Sequence, residues 1–349
     1  DWVLVDAGAT WRQVLAATLP QGLAPATLPD YLDLTVGGTV SVGGVGATTS
    51  RWGVQSDTVG ELEVVTGRGL TLTCSPTTHQ GLFDAVRAGL GQAAIITRVT
   101  LRLVPAPRHA RRFLLTYPTL SAMLNDQRRL VTEDRFDAVQ GAVLAAPSGG
   151  WTFRLDAVKQ FSGRAPDDGA LLAGLGDDRA QAQPATMLYL AYRDRLAALE
   201  RALRAGGQWP LPHPWLCTFV GDAAVGQVIA RELEQLRPAD LGEAGQVALS
   251  PIRRAPVRSP LIRMPSDELC YAVNLLRFPD TTGATQAGRL VAANRAAGGT
   301  LYPVSAFPMT PPDWRQHFGP ALGLLADAKR DHDPDHILTP GYEIFDAWP

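Results

Sequence analysis

Between Thr35 and Gly46 the chain places five glycines in twelve residues, at 37, 38, 43, 44 and 46. So dense a run excludes a long regular helix or strand there, because glycine gains no packing and loses much backbone entropy on ordering. Two readings remain open. A backbone without side chains lets a flat ligand or a pyrophosphate approach, with free amides and the hydroxyls of Thr35, Thr39 and Ser41 as donors. By spacing alone, a glycine-rich turn between strands is the preferred one. The run matches neither the dinucleotide fingerprint nor the phosphate-loop spacing, and no Lys-Ser or Lys-Thr closes it.

The elements around this run have α+β character. Thr10 and Gln13 fit a capping box ahead of the apolar stripe Trp11, Val14, Leu15 and Leu19, which predicts a helix over about 11–19. Residues 62–66 and 70–74 read as a hairpin about Gly67-Arg68-Gly69, whose glycines would take the positive φ angles of a tight turn. A helix over about 82–88 stops at Gly89 and Gly91, and 94–104 forms a strand ending at Pro105-Ala106-Pro107. That proline pair is the expected domain boundary. Beyond it, helices are expected over 119–130, 194–205, 223–236 and 284–297, with strands over 138–144, 151–158, 186–192, 269–277 and 300–306. The lack of strict βαβ alternation favours an antiparallel sheet with helices on one face. The tail should be a helix, with Trp314 and His317-Phe318 in the core, followed by an irregular strip.

Composition narrows the function classes. With 32 basic against 34 acidic residues and only scattered arginine doublets, nucleic acid is not an expected partner. No run of about 18 apolar residues occurs, so no membrane span is expected. A leader is not visible either, which leans the expected compartment to the cytoplasm, although the opening Asp1-Trp2-Val3-Leu4-Val5 is already strand-like and lacks Met. Cys74, Cys217 and Cys270 are too far apart for a disulfide framework or a Cys-x-x-Cys zinc site.

Several residues could carry chemistry. Asp30, in Leu28-Pro29-Asp30-Tyr31-Leu32, could be a base if a flat cofactor lay beside it, or simply form a turn after proline, the reading local sequence prefers. Asp33 competes for either role. Asp331-His332-Asp333-Pro334-Asp335-His336 offers metal-ligand types, but Pro334 would break the helix that a four-residue His spacing needs, so a polar connector is expected. No Gly-x-Ser-x-Gly elbow is present.

Taken in order, Leu28 to Thr39, Val64-Val65-Thr66-Gly67, Thr73-Cys74-Ser75, Leu82 to Val86, Gly89-Leu90-Gly91-Gln92 and Ile95-Ile96-Thr97-Arg98 resemble the cytokinin dehydrogenases. Trp314 to Gly319, Asp333-Pro334 and Ile337-Leu338-Thr339-Pro340-Gly341 extend the likeness into the tail. The resemblance implies a vanillyl-alcohol-oxidase-type, PCMH-type FAD protein of α+β class. Residues 1–104 would be the second part of the FAD-binding domain and 105–310 a substrate domain with an antiparallel sheet covered by helices. Residues 311–349 would return to the FAD domain. It implies oxidation of the secondary amine of N6-isoprenoid adenines to an imine, hydrolysed to adenine and an unsaturated aldehyde, with a separate electron acceptor. Asp30 would accept the amine proton. FAD contacts carried over are Asp30, Thr35, Ser41, Val45, Ile96, Thr339 and Tyr342, and substrate contacts are Asp30 and Gln140.

The departures have consequences of their own. Gln140 stands where the family has Glu, supplying an amide in place of a carboxylate charge, and Tyr342 stands where the family usually has Gln. The family's aromatic near the flavin edge has no counterpart assigned within 302–307. The family's Gly-Arg-Gly-His-Ser segment, whose His is joined to the flavin, does not occur in the sequence. The expectation is therefore a fragment of a longer protein, with a shortened relative as the other reading. The rival functions are a related FAD-linked oxidase of another amine or an alcohol, and a flavin-free binding remnant.

Overall fold

Alternating burial along one long strand organises the N-terminal part of the chain. The computed structural model describes residues 1–242, 244–278, 283–305 and 307–345. The chain divides into two compact units, the first made of 1–106, 255–263 and 308–349, the second of 107–254 and 264–307.

In the first unit, strand β1 (Trp2–Asp6) and helix α1 (Trp11–Thr18) open the chain, followed by β2 (Leu23–Pro25), α2 (Val36–Ser41) and α3 (Thr49–Trp52). The capping box is formed, with Thr10 N donating to Gln13 Oε1 at 2.8 Å, and the stripe Trp11, Val14 and Leu15 is buried. Then come β3 (Val59–Thr66), β4 (Thr71–Cys74), α4 (Gln80–Val86) and β5 (Ala94–Pro105). These strands form an antiparallel sheet in the order β1-β5-β3-β4, with β2 also on β5. In the expected hairpin only Gly69 has positive φ, at 75°.

The segment 255–263 returns to this unit, a crossing the sequence reading did not contain. It is tied by Asp57 Oδ1, which accepts from the Ser259 amide and hydroxyl at 2.7 Å each, and by the Ser56–Ser259 hydroxyl pair at 2.7 Å. Helices α11 (Pro311–Phe318) and α12 (Leu322–His332) complete the unit, with the irregular strip after them. Trp314 and Phe318 lie in the core as expected, packed with Leu261, Leu325 and Ile344.

The second unit is built on an eight-stranded antiparallel sheet, which is the architecture its run of strands and helices predicts. Its strands are β6 (His109–Tyr117), β7 (Ala138–Ala145), β8 (Trp151–Phe161), β9 (Gln183–Leu188), β10 (Leu216–Gly221), β11 (Gln246–Arg253), β12 (Leu269–Leu276) and β13 (Thr300–Leu301). They run in the order β13-β10-β12-β11-β7-β8-β6-β9. Its helices are α5 (Leu120–Thr132), α6 (Asp168–Leu172), α7 (Tyr189–Arg193), α8 (Ala197–Ala205), α9 (Asp222–Gln235) and α10 (Gly283–Ala296). On β7 the residues Val139, Gly141 and Val143 are buried, and a Cβ at Gly141 would meet Gln127 and Met123 of α5 at 3.0–3.3 Å. Gln140, Ala142 and Leu144 therefore face the other way and stay half-buried.

Two expectations are corrected. The strand expected over 186–192 ends at Leu188, and Tyr189–Arg193 is helical, because Tyr189, Tyr192 and Arg193 are buried at helical spacing. The strand expected over 300–306 covers only Thr300–Leu301, and residue 306 lies outside the described residues. The last four residues of the expected return, 346–349, also lie outside them.

Candidate active site

The glycine run does not form a turn between strands. Thr35 caps α2, its hydroxyl accepting from the Gly38 amide at 3.3 Å, so the run begins as a helix. Gly37 is required there, since a Cβ would lie 2.7 Å from that of Ala7. The amides that open α2 are committed within the protein. Val36 N donates to Ala9 O and Gly37 N to Ala7 O, each at 2.9 Å. This corrects the expectation of free amides waiting for phosphate oxygens.

α2 forms one wall of a cavity of about 490 Å³, within the roughly 300–1,000 Å³ of small-molecule sites. Thr35, Gly37, Gly38 and Ser41 line it from α2, and Ala7-Gly8 from the turn after β1. Gly91 lines it from the turn before β5, Ala94 to Ile96 from the start of β5, and Ile337 to Thr339 from the tail strip. A Cβ at Gly38 would press on Thr35 Oγ1 at 2.8 Å but meet nothing else within 4 Å, so beyond that hydroxyl the space beside the backbone is open. Ser41 Oγ donates to Gly37 O at 2.8 Å, which leaves its oxygen to accept. The walls are mostly apolar, and none of the described lining residues carries a charge. Such a cavity suits a flat neutral ring and does not suit a diphosphate, which calls for cations or uncommitted amides.

The far wall is held by an unusual backbone. Ala88, Leu90 and Gly91 all have positive φ, at 59°, 58° and 71°. In return, the Ala88 and Leu90 amides reach Val40 O and Ser41 O at 2.9 and 2.8 Å, closing the end of α2. Two non-glycine residues in this conformation carry strain that the surrounding contacts must offset.

Of the residues carried over as cofactor contacts, Thr35, Ser41, Ile96 and Thr339 come together around this cavity, while Asp30, Val45 and Tyr342 do not line it. Asp30 is half-buried in the irregular segment before α2, and Val45 is half-buried after it. Tyr342 is exposed, its carbonyl accepting from Trp314 Nε1 at 2.9 Å. Asp33 is engaged by Arg12 through two hydrogen bonds of 2.7 and 2.9 Å. Gln140 lies in the second unit. Its Oε1 accepts from Arg195 Nη2 at 3.1 Å, and its Nε2 faces Ser250 Oγ at 3.5 Å.

Among the described residues no group of three His, Cys, Asp or Glu side chains is placed to hold a metal. Asp333, in the run that offered ligand types, is turned inward onto Lys329. The three cysteines are free and buried, and burial pushes each thiol up to about 12, which removes them as nucleophiles. Sequence reasoning missed Gln92, which does not line the cavity but donates from Nε2 to Thr339, a lining residue, at 2.6 and 3.1 Å. The signal was present, because Gln92 directly follows the glycine that lines the cavity.

Comparison with known proteins places the chain in a family. Residues 170–345 match the family described as cytokinin dehydrogenase 1, FAD and cytokinin binding, and residues 1–75 match an FAD binding domain. An uncharacterized oxidoreductase of the fasciation locus of Rhodococcoides fascians is 39% identical over 97% of this chain and 78% of its own length. Cytokinin dehydrogenase 1 of Oryza sativa subsp. japonica is 32% identical over 99% of this chain and 74% of its own. The fold is shared with 6-hydroxy-D-nicotine oxidase of Arthrobacter nicotinovorans, with a TM-score of 0.71 at 20% identity over 98% of this chain and 78% of that one. A VAO-type flavoprotein of Myceliophthora thermophila gives a TM-score of 0.72 at 18% identity over 97% and 66%.

Proposed function

The chain belongs to the cytokinin dehydrogenase family and is an FAD-dependent oxidoreductase acting on a small molecule, and we propose that it oxidises the secondary amine of N6-isoprenoid adenines. The product imine takes up water and breaks down to adenine and an unsaturated aldehyde. FAD, when bound, supplies the acceptor for the two electrons that leave the carbon beside the nitrogen as hydride.

The chain's own residues do the rest. Thr35, Gly38, Ser41, Ile96 and Thr339 would hold the ring end of the cofactor, the backbone at Gly38 leaving room for a flat face and Ser41 Oγ accepting a ring N–H. Asp30, half-buried in the irregular segment before α2, would take the amine proton as the general base. Gln140 would hydrogen-bond the adenine edge, with Arg195 on its Oε1 setting which way the amide points.

The convergence of Thr35, Ser41, Ile96 and Thr339, from three separated stretches of sequence, on one uncharged cavity supports this reading most directly. One specific observation favours a second reading, a related oxidase of another amine or an alcohol. Gln140 is a neutral amide tied to Arg195 at the position where the family resemblance calls for a carboxylate.

Turnover under saturating FAD and electron acceptor, with isopentenyladenine against a panel of alcohols and sugars, decides between them. Release of adenine and aldehyde is expected. Oxidation of an alcohol without adenine release would replace the substrate assignment while leaving the cofactor site in place.

A further inference from the structure

The tail strip that lines the cavity has no strand or helix to hold its backbone. Two buried charges do so instead. Lys329, on α12, and Asp333, just past its end, are 1% and 0% exposed and meet at 2.6 Å. Asp333 Oδ1 accepts from the Ile337 amide at 3.1 Å, and Oδ2 accepts from the Leu338 amide at 3.0 Å. Lys329 Nζ also donates to the Leu338 carbonyl at 2.9 Å. Both backbone groups of Leu338 are thus held by the pair. Gly67, in the β3–β4 hairpin, makes room for it, since a Cβ there would lie 2.0 Å from Asp333 Oδ1.

We infer that Lys329 and Asp333 are positioning residues for the cofactor cavity, fixing the strip Ile337 to Thr339 as its wall. A buried ion pair is weak evidence for stability, because desolvation offsets the attraction, and a role in fixing geometry is a better account of one. Beyond the ion pair itself, Lys329 donates one hydrogen bond to, and Asp333 accepts two from, the strip that lines the cavity. The inference rests on the reading that this cavity takes the ring end of FAD.

Replacing both partners, Lys329→Met with Asp333→Leu, removes the pair without leaving a buried unpaired charge. With the full chain, three quantities would be followed: far-UV circular dichroism, amide exchange at Ile337 and Leu338, and FAD binding by flavin fluorescence. The expected result is a native spectrum, at least tenfold faster exchange at both amides, and at least a tenfold larger dissociation constant for FAD. A folded double variant with unchanged exchange and affinity overturns the inference.

The unaltered chain gives a second measurement that does not depend on the variant folding. FAD should slow exchange of the Leu338 amide at least tenfold, and unchanged protection would overturn the proposal. Gly38→Val separates the two readings, because it crowds the cavity wall at Thr35, whose Oγ1 lies 2.8 Å from its Cβ, without touching the strip. If it leaves FAD binding intact, the cavity assignment fails. If it abolishes binding while the double variant binds normally, the cavity assignment stands and the positioning role fails.

Discussion

Gln92 reaches Thr339 across 247 residues of sequence, its Nε2 donating to the hydroxyl at 2.6 Å and to the carbonyl at 3.1 Å. Thr339 sits at φ 43°, a conformation that a β-branched residue adopts only when held. The glycine before Gln92 carries the strip against it, with only 3.1 Å between its would-be Cβ and Thr339 Cγ2.

Gln92→Leu is therefore expected to free Thr339 from the cavity wall. If that freedom must be removed again on binding, two neutral hydrogen bonds at about 0.5–1.5 kcal/mol each correspond to FAD binding weaker by about 5- to 150-fold. Because the same two bonds are lost from the folded chain, urea unfolding should show a loss of about 1–3 kcal/mol, with Leu keeping the packed volume. Titration of flavin fluorescence measures the first effect and urea unfolding the second. Unaltered affinity would show that Thr339 does not contribute to holding FAD.

A different cost attaches to Gly67. Its φ is ordinary, so Ala would be tolerated by the backbone, yet the added methyl would press into the Asp333 carboxylate at 2.0 Å. Overpacking of this kind costs about 1–3 kcal/mol. Gly67→Ala should lower the free energy of unfolding in urea by that amount, whereas Gly69→Ala is strained by its φ of 75° with nothing within 4 Å. Equal stability of Gly67→Ala and the unaltered chain would mean that Asp333 can move aside freely.

This contrast also shows what the sequence could and could not convey. The hairpin was legible from its glycines, but the reason for Gly67 was not, because Asp333 approaches from 266 residues away. Helix α1 was legible to its capping box, since Thr10 and Gln13 are local signals. The strand β11 was hidden by Pro251, which reads as a strand breaker. It is tolerated because pairing with β7 stops at Leu249, so no ladder donor is needed on that side at 251. In the site, Thr35 and Ser41 were visible as hydroxyls in a glycine run, whereas the helical form of that run was not. Its amides find partners in Ala7 and Ala9, which no local pattern announces.

Asp30 is the residue on which the proposed chemistry turns. Asp30→Asn keeps the shape and removes the capacity to accept a proton at neutral pH. FAD absorbance of the variant should stay close to that of the unaltered protein. Turnover of isopentenyladenine should fall by at least about 10²-fold, the usual scale for a general base. Turnover at the unaltered rate would remove Asp30 from the mechanism and direct attention to another acceptor.

The second unit carries a pH dependence of its own. Glu232, on α9, is 3% exposed, and burial pushes its carboxyl up to about 7, partly opposed by a hydrogen bond from Asn294 Nδ2 at 3.3 Å and by the charge of Arg277. Between the ordinary value of 4.5 and about 7 the folded state keeps a proton that the unfolded chain has lost. That contribution is harmless below the lower value. It subtracts stability as pH rises through the window, by about 1.4 kcal/mol per unit, and is constant above 7. Glu232→Gln retains the volume and the acceptor for Asn294 but does not titrate. The variant and the unaltered chain should unfold at similar urea concentrations at pH 5. At pH 8 the variant should be more stable by roughly 2–3 kcal/mol. A difference that does not change between the two pH values would show that Glu232 ionises in the folded unit as it does in water.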